Sequence, residues 1–129
     1  MGMAATFKEL KVWQNAMDVA MTVFEKSKSF PPDEKYSLTD QIRKSSRSTA
    51  GCTAEAWRKR RYVAAFASKL NEAESEAAET QTWVEVARRC GYWNAALCDE
   101  FDMRCEQILA QLSTMIRDAD DWCSGFKRA

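Results

Sequence analysis

The sequence of 129 residues contains no histidine, and this absence removes much of the usual chemistry. Without histidine there is no Ser-His-Asp or Cys-His nucleophile, no two-histidine zinc helix, and no Glu-x-x-His motif of the carboxylate di-iron bundles. Glycine is scarce, and Gly2, Gly51, Gly91 and Gly125 stand apart, so no glycine-rich loop cradles a phosphate. Two prolines and four glycines mean few turns and long uninterrupted elements. No stretch reaches the ~18–20 uninterrupted apolar residues of a membrane span. Met1–Thr6 is short, and Lys8, Glu9 and Lys11 interrupt any apolar run after it, so no export signal is expected. The five cysteines are odd in number and form no C-x-x-C pair, which reads as reduced thiols in the cytoplasm and not as a disulfide framework. No run of alternating β-branched residues lies between turn pairs, so no strand is expected. These exclusions read together as a protein that is not an enzyme and holds no cofactor or metal.

What remains is an ordinary globular composition, 46% apolar and 29% charged, long enough for one domain over residues 1–129 with its own core. Four helices are expected, at about residues 7–28, 37–60, 62–90 and 94–124. Thr6 and Glu9 form a capping box for the first, whose Phe7, Leu10, Trp13, Met17, Ala20 and Phe24 recur at helical spacing until Pro31-Pro32 stops it. In the second, Leu38 and Ile42 give way to small residues, Ser45, Thr49, Cys52 and Ala56, which let a neighbouring helix approach closely. Gly51 in its middle costs about 1 kcal/mol against alanine. The third carries Phe66, Leu70, Ala73, Ala77, Val84 and Ala87, and Gly91 ends it as a left-handed cap. Asn94 caps the fourth, whose stripe runs Leu97, Phe101, Ile108, Leu112, Met115, Ala119, Trp122. Short links favour antiparallel neighbours, hence an all-α, up-down-up-down four-helix bundle.

Net charge is zero but unevenly spread. Residues 41–61 hold seven cations (Arg43, Lys44, Arg47, Arg58, Lys59, Arg60, Arg61) and a single acid, Glu55. Arg58–Arg61 lies where the second helix ends, so it can complement the helix dipole, worth about 0.3–1 kcal/mol. Arg43, Lys44 and Arg47 lie further up, spread around the helix by its 100° step. The patch can contact nucleic-acid phosphates by releasing counterions, or pair with the acidic third helix of its own or a neighbouring subunit. Glu72, Glu76 and Glu79 share one face and read as a solvated or salt-bridged surface, with a divalent-ion site as the alternative. Cys98 and Cys105, seven apart, read as buried small hydrophobes, because zinc ligation wants a closer pair. Trp57, Trp83 and Trp93 fall off the apolar stripes, and aromatics outside a core stripe point to an oligomer interface.

The order of motifs resembles the four-helix-bundle proteins of the rRNA intervening-sequence type, a group that includes accessory proteins of diversity-generating retroelements. The likeness runs from Phe7-Lys8-Glu9-Leu10-Lys11-Val12-Trp13-Gln14 through Phe30-Pro31 and Glu34-x-Tyr36-x-Leu38-Thr39-Asp40-Gln41-Ile42-Arg43-Lys44. It continues with Ser48, Ala54-Glu55 and Arg58, then Glu79-Thr80-Gln81-Thr82-Trp83 and Gly91-Tyr92. The resemblance implies a bundle assembling into a ring, typically a homopentamer, without enzymatic activity. In the retroelement relatives, basic surfaces of such a ring engage nucleic acid and a reverse transcriptase. Carried over by position, Arg43, Lys44 and Arg58 become cationic surface, and Glu55 and Glu79 structural pairing partners. The sequence departs from the family pattern at Cys52, where relatives carry Asn, at Ala56, where they carry Gly, and in being neutral overall. The leading expectation is a non-enzymatic homo-oligomeric assembly or adaptor module; the alternative is an RNA- or DNA-binding accessory protein using the basic patch.

Overall fold

The computed structural model describes residues 4–127, with side chains through residue 125; the domain limits at 1 and 129 lie outside the described residues. Among these residues there are five helices and no strand: α1 Lys11–Ser27, α2 Leu38–Arg58, α3 Val63–Arg89, α4 Ala95–Arg117 and α5 Ala119–Lys127. Helix α2 packs against α1 and α3, α4 packs against α3 and α1, and α5 lies on α3 and α4. Phe66, Phe101, Ile42, Leu70, Ile108, Leu112, Val23 and Val84 fill the centre, each almost wholly buried. Each such side chain contributes about 1.5–3 kcal/mol relative to exposure.

Two boundaries differ from the sequence expectation. The first helix does not begin at Phe7. The Thr6/Glu9 capping box forms, but it closes a 3-10 turn over Phe7–Glu9, and Leu10 then adopts an extended conformation that drops its side chain into the core. The α-helix starts only at Lys11, with Leu10 as a cap lacking a side-chain hydrogen bond. The fourth helix is not continuous to residue 124 either. It breaks at Asp118, whose carboxylate is gripped by the Arg117 guanidinium at 3.0 Å through both oxygens, while its carbonyl accepts from Asp121 and Trp122 to start α5. The break turns Ala119 and Cys123 into the core.

The stripe of α1 also sits differently. Val12, Ala16, Val19, Ala20, Val23 and Ser27 make its buried face, while Trp13, Met17 and Phe24 flank it half-buried. The reason lies opposite, in α2, whose buried face beyond Ile42 is Ser45, Ser46, Thr49, Ala50, Thr53, Ala56 and Trp57. Two faces of small or β-branched side chains can come close, and the bulky residues move to the rims. The buried hydroxyls are all hydrogen-bonded: Thr49 donates to the Ser45 carbonyl (3.0 Å), Thr53 to the Thr49 carbonyl (2.8 Å), and Thr80 of α3 to Ser45 Oγ (2.8 Å).

One end of the molecule is tied by Glu34, in a 3-10 turn over Pro32–Glu34 between α1 and α2. Its carboxylate accepts from Ser37 Oγ (2.6 Å), from the Leu38 backbone N–H at the start of α2 (3.2 Å), and from Tyr92 Oη (2.8 Å) in the α3–α4 link. Tyr92 and Trp93 lean on Phe30, Trp93 stacks on Phe101 at 5.0 Å, and its Nε1 donates to the Lys26 carbonyl. The link itself is a Schellman motif: Tyr92 N–H donates to the Ala87 carbonyl and Gly91 N–H to that of Arg88, with Gly91 at φ +74°. Asn94 Oδ1 then caps α4 by accepting from Leu97 N–H at 2.9 Å.

The two glycines predict opposite outcomes. Gly51 is exposed in mid-helix and a Cβ there meets nothing within 4 Å, so Gly51→Ala raises stability by about 0.4–1 kcal/mol. Gly91→Ala places a side chain at positive φ and lowers stability by about 1–2 kcal/mol; urea unfolding of both variants measures the contrast. The Glu34 latch predicts a two-sided pH dependence. Hydrogen bonds from Ser37, Tyr92 and Leu38 hold the Glu34 carboxyl below its ordinary range, so the stability it contributes is present at neutral pH and lost as pH falls through that lowered value. The hydrogen bond to Glu34 and desolvation push Tyr92 from 10 up to about 12, so stability also declines as pH rises through that interval. Melting curves should show both losses in the native protein and smaller ones in Glu34→Gln; identical profiles would remove the latch.

Candidate functional site

Helix α2 is the most cationic of the five helices, with Arg43, Lys44, Arg47 and Arg58 against Asp40 and Glu55. Its buried residues occupy one side, and at about 100° per residue Arg43, Arg47 and Arg58 fall within about 60° of one another on the solvent side, with Lys44 about 40° beyond Arg58. The cations therefore gather on one face and are not spread around the helix. Gly51 and Ala54 lie between Arg47 and Arg58 on this face, and neither raises a bulky side chain.

The seven sequence-predicted cations divide by what they touch. Arg43 is half-buried: its Nε donates to Ser27 Oγ at 2.8 Å, its Nη2 to the Phe24 carbonyl at 3.4 Å, and its guanidinium lies 4.9 Å from the Phe24 ring centre. The exposed Arg47 shares that ring at 5.8 Å, and Lys28 approaches it at 4.8 Å. Lys44 pairs with Asp40 one turn back at 3.1 Å. At the far end, Arg60 lies 3.4 Å over the Trp57 ring and donates from Nε to the Trp57 carbonyl at 2.8 Å. Arg60 thus covers the core edge and caps α2, and partial burial holds its pKa below the usual value. Arg58, Lys59 and Arg61 are exposed. Among the described residues, Arg43, Arg47, Arg58 and Lys59 make no ion pair with a carboxylate.

Among the described residues no ion pair joins Arg43, Lys44, Arg47, Arg58 or Lys59 to the acidic third helix. The α2–α3 ion pair runs in the opposite sense, with Glu55 of α2 held by Lys69 of α3 at 3.0 Å, and Glu72 on the same ammonium. Glu55 is thus a pairing partner, as the resemblance implied. Glu79 is not ion-paired among the described residues; it adjoins Glu76, whose carboxyl is raised by burial and by Glu79 and Glu72. Arg88 clamps α3 to α4 through Asp99 (2.8 Å) and Asp102 (3.6 Å), and pairs with Glu85 of its own helix at 3.2 Å.

Two of the three tryptophans assigned to an interface are core residues. Trp57 and Trp93 are 4% and 5% exposed, because Trp57 is covered by Trp122 at 6.4 Å and by Arg60, and Trp93 by Phe30 and Phe101. Trp57 lies on the buried face of α2, one turn after Thr53, and Trp93 lies in the α3–α4 link, where no helical stripe applies. Trp83 is half-buried, with an Nε1 that has no acceptor among the described residues. Cys98, Cys105 and Cys123 are buried; burial pushes the Cys105 thiol up to about 12 and raises that of Cys98, so neither is a nucleophile at neutral pH.

Periodicity did not disclose three features. An open groove of about 620 Å³ lies between the N-terminal turn and α4, lined by Leu10, Val12, Ala110, Met115 and Trp122 with Gln107 and Gln111 at its polar edge. It depends on the break at Leu10, which no spacing rule shows. Phe24, which falls on the expected apolar stripe, is instead the ring around which three cations collect. Tyr36 and Tyr62 are 83% and 66% exposed, one before and one after α2. Among the described residues no group of three or more Cys, Asp or Glu side chains is placed to hold a metal, and no helix is long and apolar enough to cross a membrane.

The fold is shared with a solved structure, that of a protein of unknown function from the S23 ribosomal protein family of Bacteroides thetaiotaomicron VPI-5482. The two chains are 25% identical, superpose with a TM-score of 0.74, and overlap over 82% of this chain and 95% of the other. No curated protein matches the sequence. Neither comparison indicates a catalytic family. Residues 8–114 match the model of the 23S rRNA-intervening sequence protein family, a span covering every α2 cation and both exposed tyrosines, and the chain belongs to that family.

Proposed function

We propose that the protein is a non-enzymatic, homo-oligomeric helical bundle that serves as an assembly or adaptor module in the cytoplasm. Helices α1–α4 run up-down-up-down in this reading, since links as short as 59–62 and 90–94 leave consecutive helices antiparallel. The observation that carries the proposal is the open apolar groove beside α4. Leu10, Val12 and Met115 floor the groove from within the core, and the half-buried Trp122 with the exposed Ala110 and Thr114 lines its open side, where a second copy would exclude water. Its rim carries Glu9 and Lys11, charges of both signs that a symmetry-related surface can pair. A homopentamer is the ring size that the family resemblance supplies.

A second reading is favoured by a separate observation, the unpaired cations of α2: an accessory protein that binds RNA or DNA, akin to the retroelement accessory proteins. Among the described residues Arg47 and Arg58 stand free of carboxylates on one face of α2, with the exposed Lys59 at its C-terminal end, as phosphate contacts require.

Light scattering on a sizing column tests the first reading. A mass near five times 14.7 kDa is expected, falling to that of one chain in Ala110→Arg with helical circular dichroism unchanged. A native protein that stays monomeric at micromolar concentration would refute it.

A further inference from the structure

Among the described residues four large hydrophobic side chains stand well exposed; two are aromatic, Tyr36 and Tyr62, and both flank α2. Exposed aromatic rings beside cations have a specific use that a basic surface alone lacks. Phosphate contacts hold any nucleic acid, whereas an accessible ring can stack only on a base that is free of the duplex. We infer that the exposed face of α2 is a track for single-stranded nucleic acid, with Tyr36 and Tyr62 as base-stacking posts at its ends and Arg43, Arg47, Arg58 and Lys59 as phosphate contacts between them. This inference rests on the second reading above and specifies its ligand.

Four observations carry it. Charge comes first: the two acids on this helix that could repel a strand are both neutralised, Asp40 by Lys44 and Glu55 by Lys69, while Arg47, Arg58 and Lys59 have no carboxylate partner among the described residues. Shape comes second. Gly51 and Ala54 separate Arg47 from Arg58, and no atom lies within 4 Å of a Cβ built on Gly51, so nothing lifts a strand away from the helix. Third is preorganisation: Arg43 is fixed by Ser27 Oγ and the Phe24 carbonyl, and both Arg43 and Arg47 lie against the Phe24 ring. Less side-chain entropy is then lost when an anion binds. Length comes last. The 21 residues of α2 span about 30 Å, room for several nucleotides of an extended single strand. An acidic peptide would satisfy the cations but would leave the tyrosines without a role.

Fluorescence anisotropy with labelled oligo-dT and oligo-U of about fifteen nucleotides, and a duplex of equal length, tests the assignment at about 50 and 200 mM salt. Single strands should bind at least about tenfold tighter than the duplex. Y36A together with Y62A should weaken single-strand binding by roughly tenfold or more and leave duplex binding alone, whereas Tyr→Phe at both positions should retain it. R47A with R58A should weaken both and flatten the salt dependence. The tyrosines are exposed, so unchanged melting curves will show that their variants fold. Equal or tighter duplex binding, or alanine variants of the tyrosines that bind like the native protein, would overturn the track while leaving the nucleic-acid reading in place. No binding to any strand at the lower salt would remove both. A polyglutamate peptide that outcompetes every oligonucleotide would also overturn it, in favour of a protein partner.

Discussion

Close approach of α2 to its neighbours is the constraint on which the rest of the molecule depends. A helix that buries Ser45, Ser46, Thr49, Ala50, Thr53 and Ala56 has little side-chain volume to fill a core and gains by proximity instead. Every buried hydroxyl must then find an acceptor, since an unsatisfied one costs about 1–3 kcal/mol. The acceptors here are carbonyls of the preceding turn and, across the interface, Ser45 Oγ from Thr80. The space left at the centre, among Ala16, Val19, Thr49, Ala77, Cys105 and Ile108, is only about 10 Å³. That is room for about one water-sized group, so a substantially bulkier side chain there must displace its neighbours.

Surface chemistry follows from this packing. Once the small side of α2 faces inward, its long cationic residues are the ones left facing out, and the α1 and α2 helices are near enough for Arg43 to reach the last turn of α1. The same closeness pushes Phe24 to the rim, where it meets Lys28, Arg43 and Arg47. Elsewhere charges are matched locally: Lys69 serves Glu55 and Glu72, and Arg88 serves Glu85, Asp99 and Asp102. Among the described residues the cationic face of α2 and the open apolar groove beside α4 therefore lie on different helices.

Much of the helical framework was legible because its signals are local. The α3 stripe from Phe66 to Ala87 is buried as its spacing implied, and Gly91 and Asn94 act as caps because each position demands a particular backbone or side-chain oxygen. What spacing could not show was non-local. Trp57 and Trp93 are covered by Trp122, Phe30 and Phe101, residues 65, 63 and 8 positions away by sequence number. The α4 break at Asp118 interrupts an otherwise continuous apolar stripe, and no spacing rule marks it. The basic patch was visible as composition, yet its gathering on one face needed the burial pattern of α2, and the exposure of Tyr36 and Tyr62 needed the fold.

Equilibrium unfolding of Thr49→Leu, with Thr49→Val as the volume-matched control, addresses the close packing of α2 directly. Thr49 is 3% exposed, and the added bulk of leucine has no room beside Ala16, Ala77 and Ile108. The account predicts a loss of about 1–3 kcal/mol for leucine, with valine costing less, since the carbonyl it releases is already bonded within the helix. A leucine variant as stable as the native protein would contradict it, because α2 would then be standing off from its neighbours.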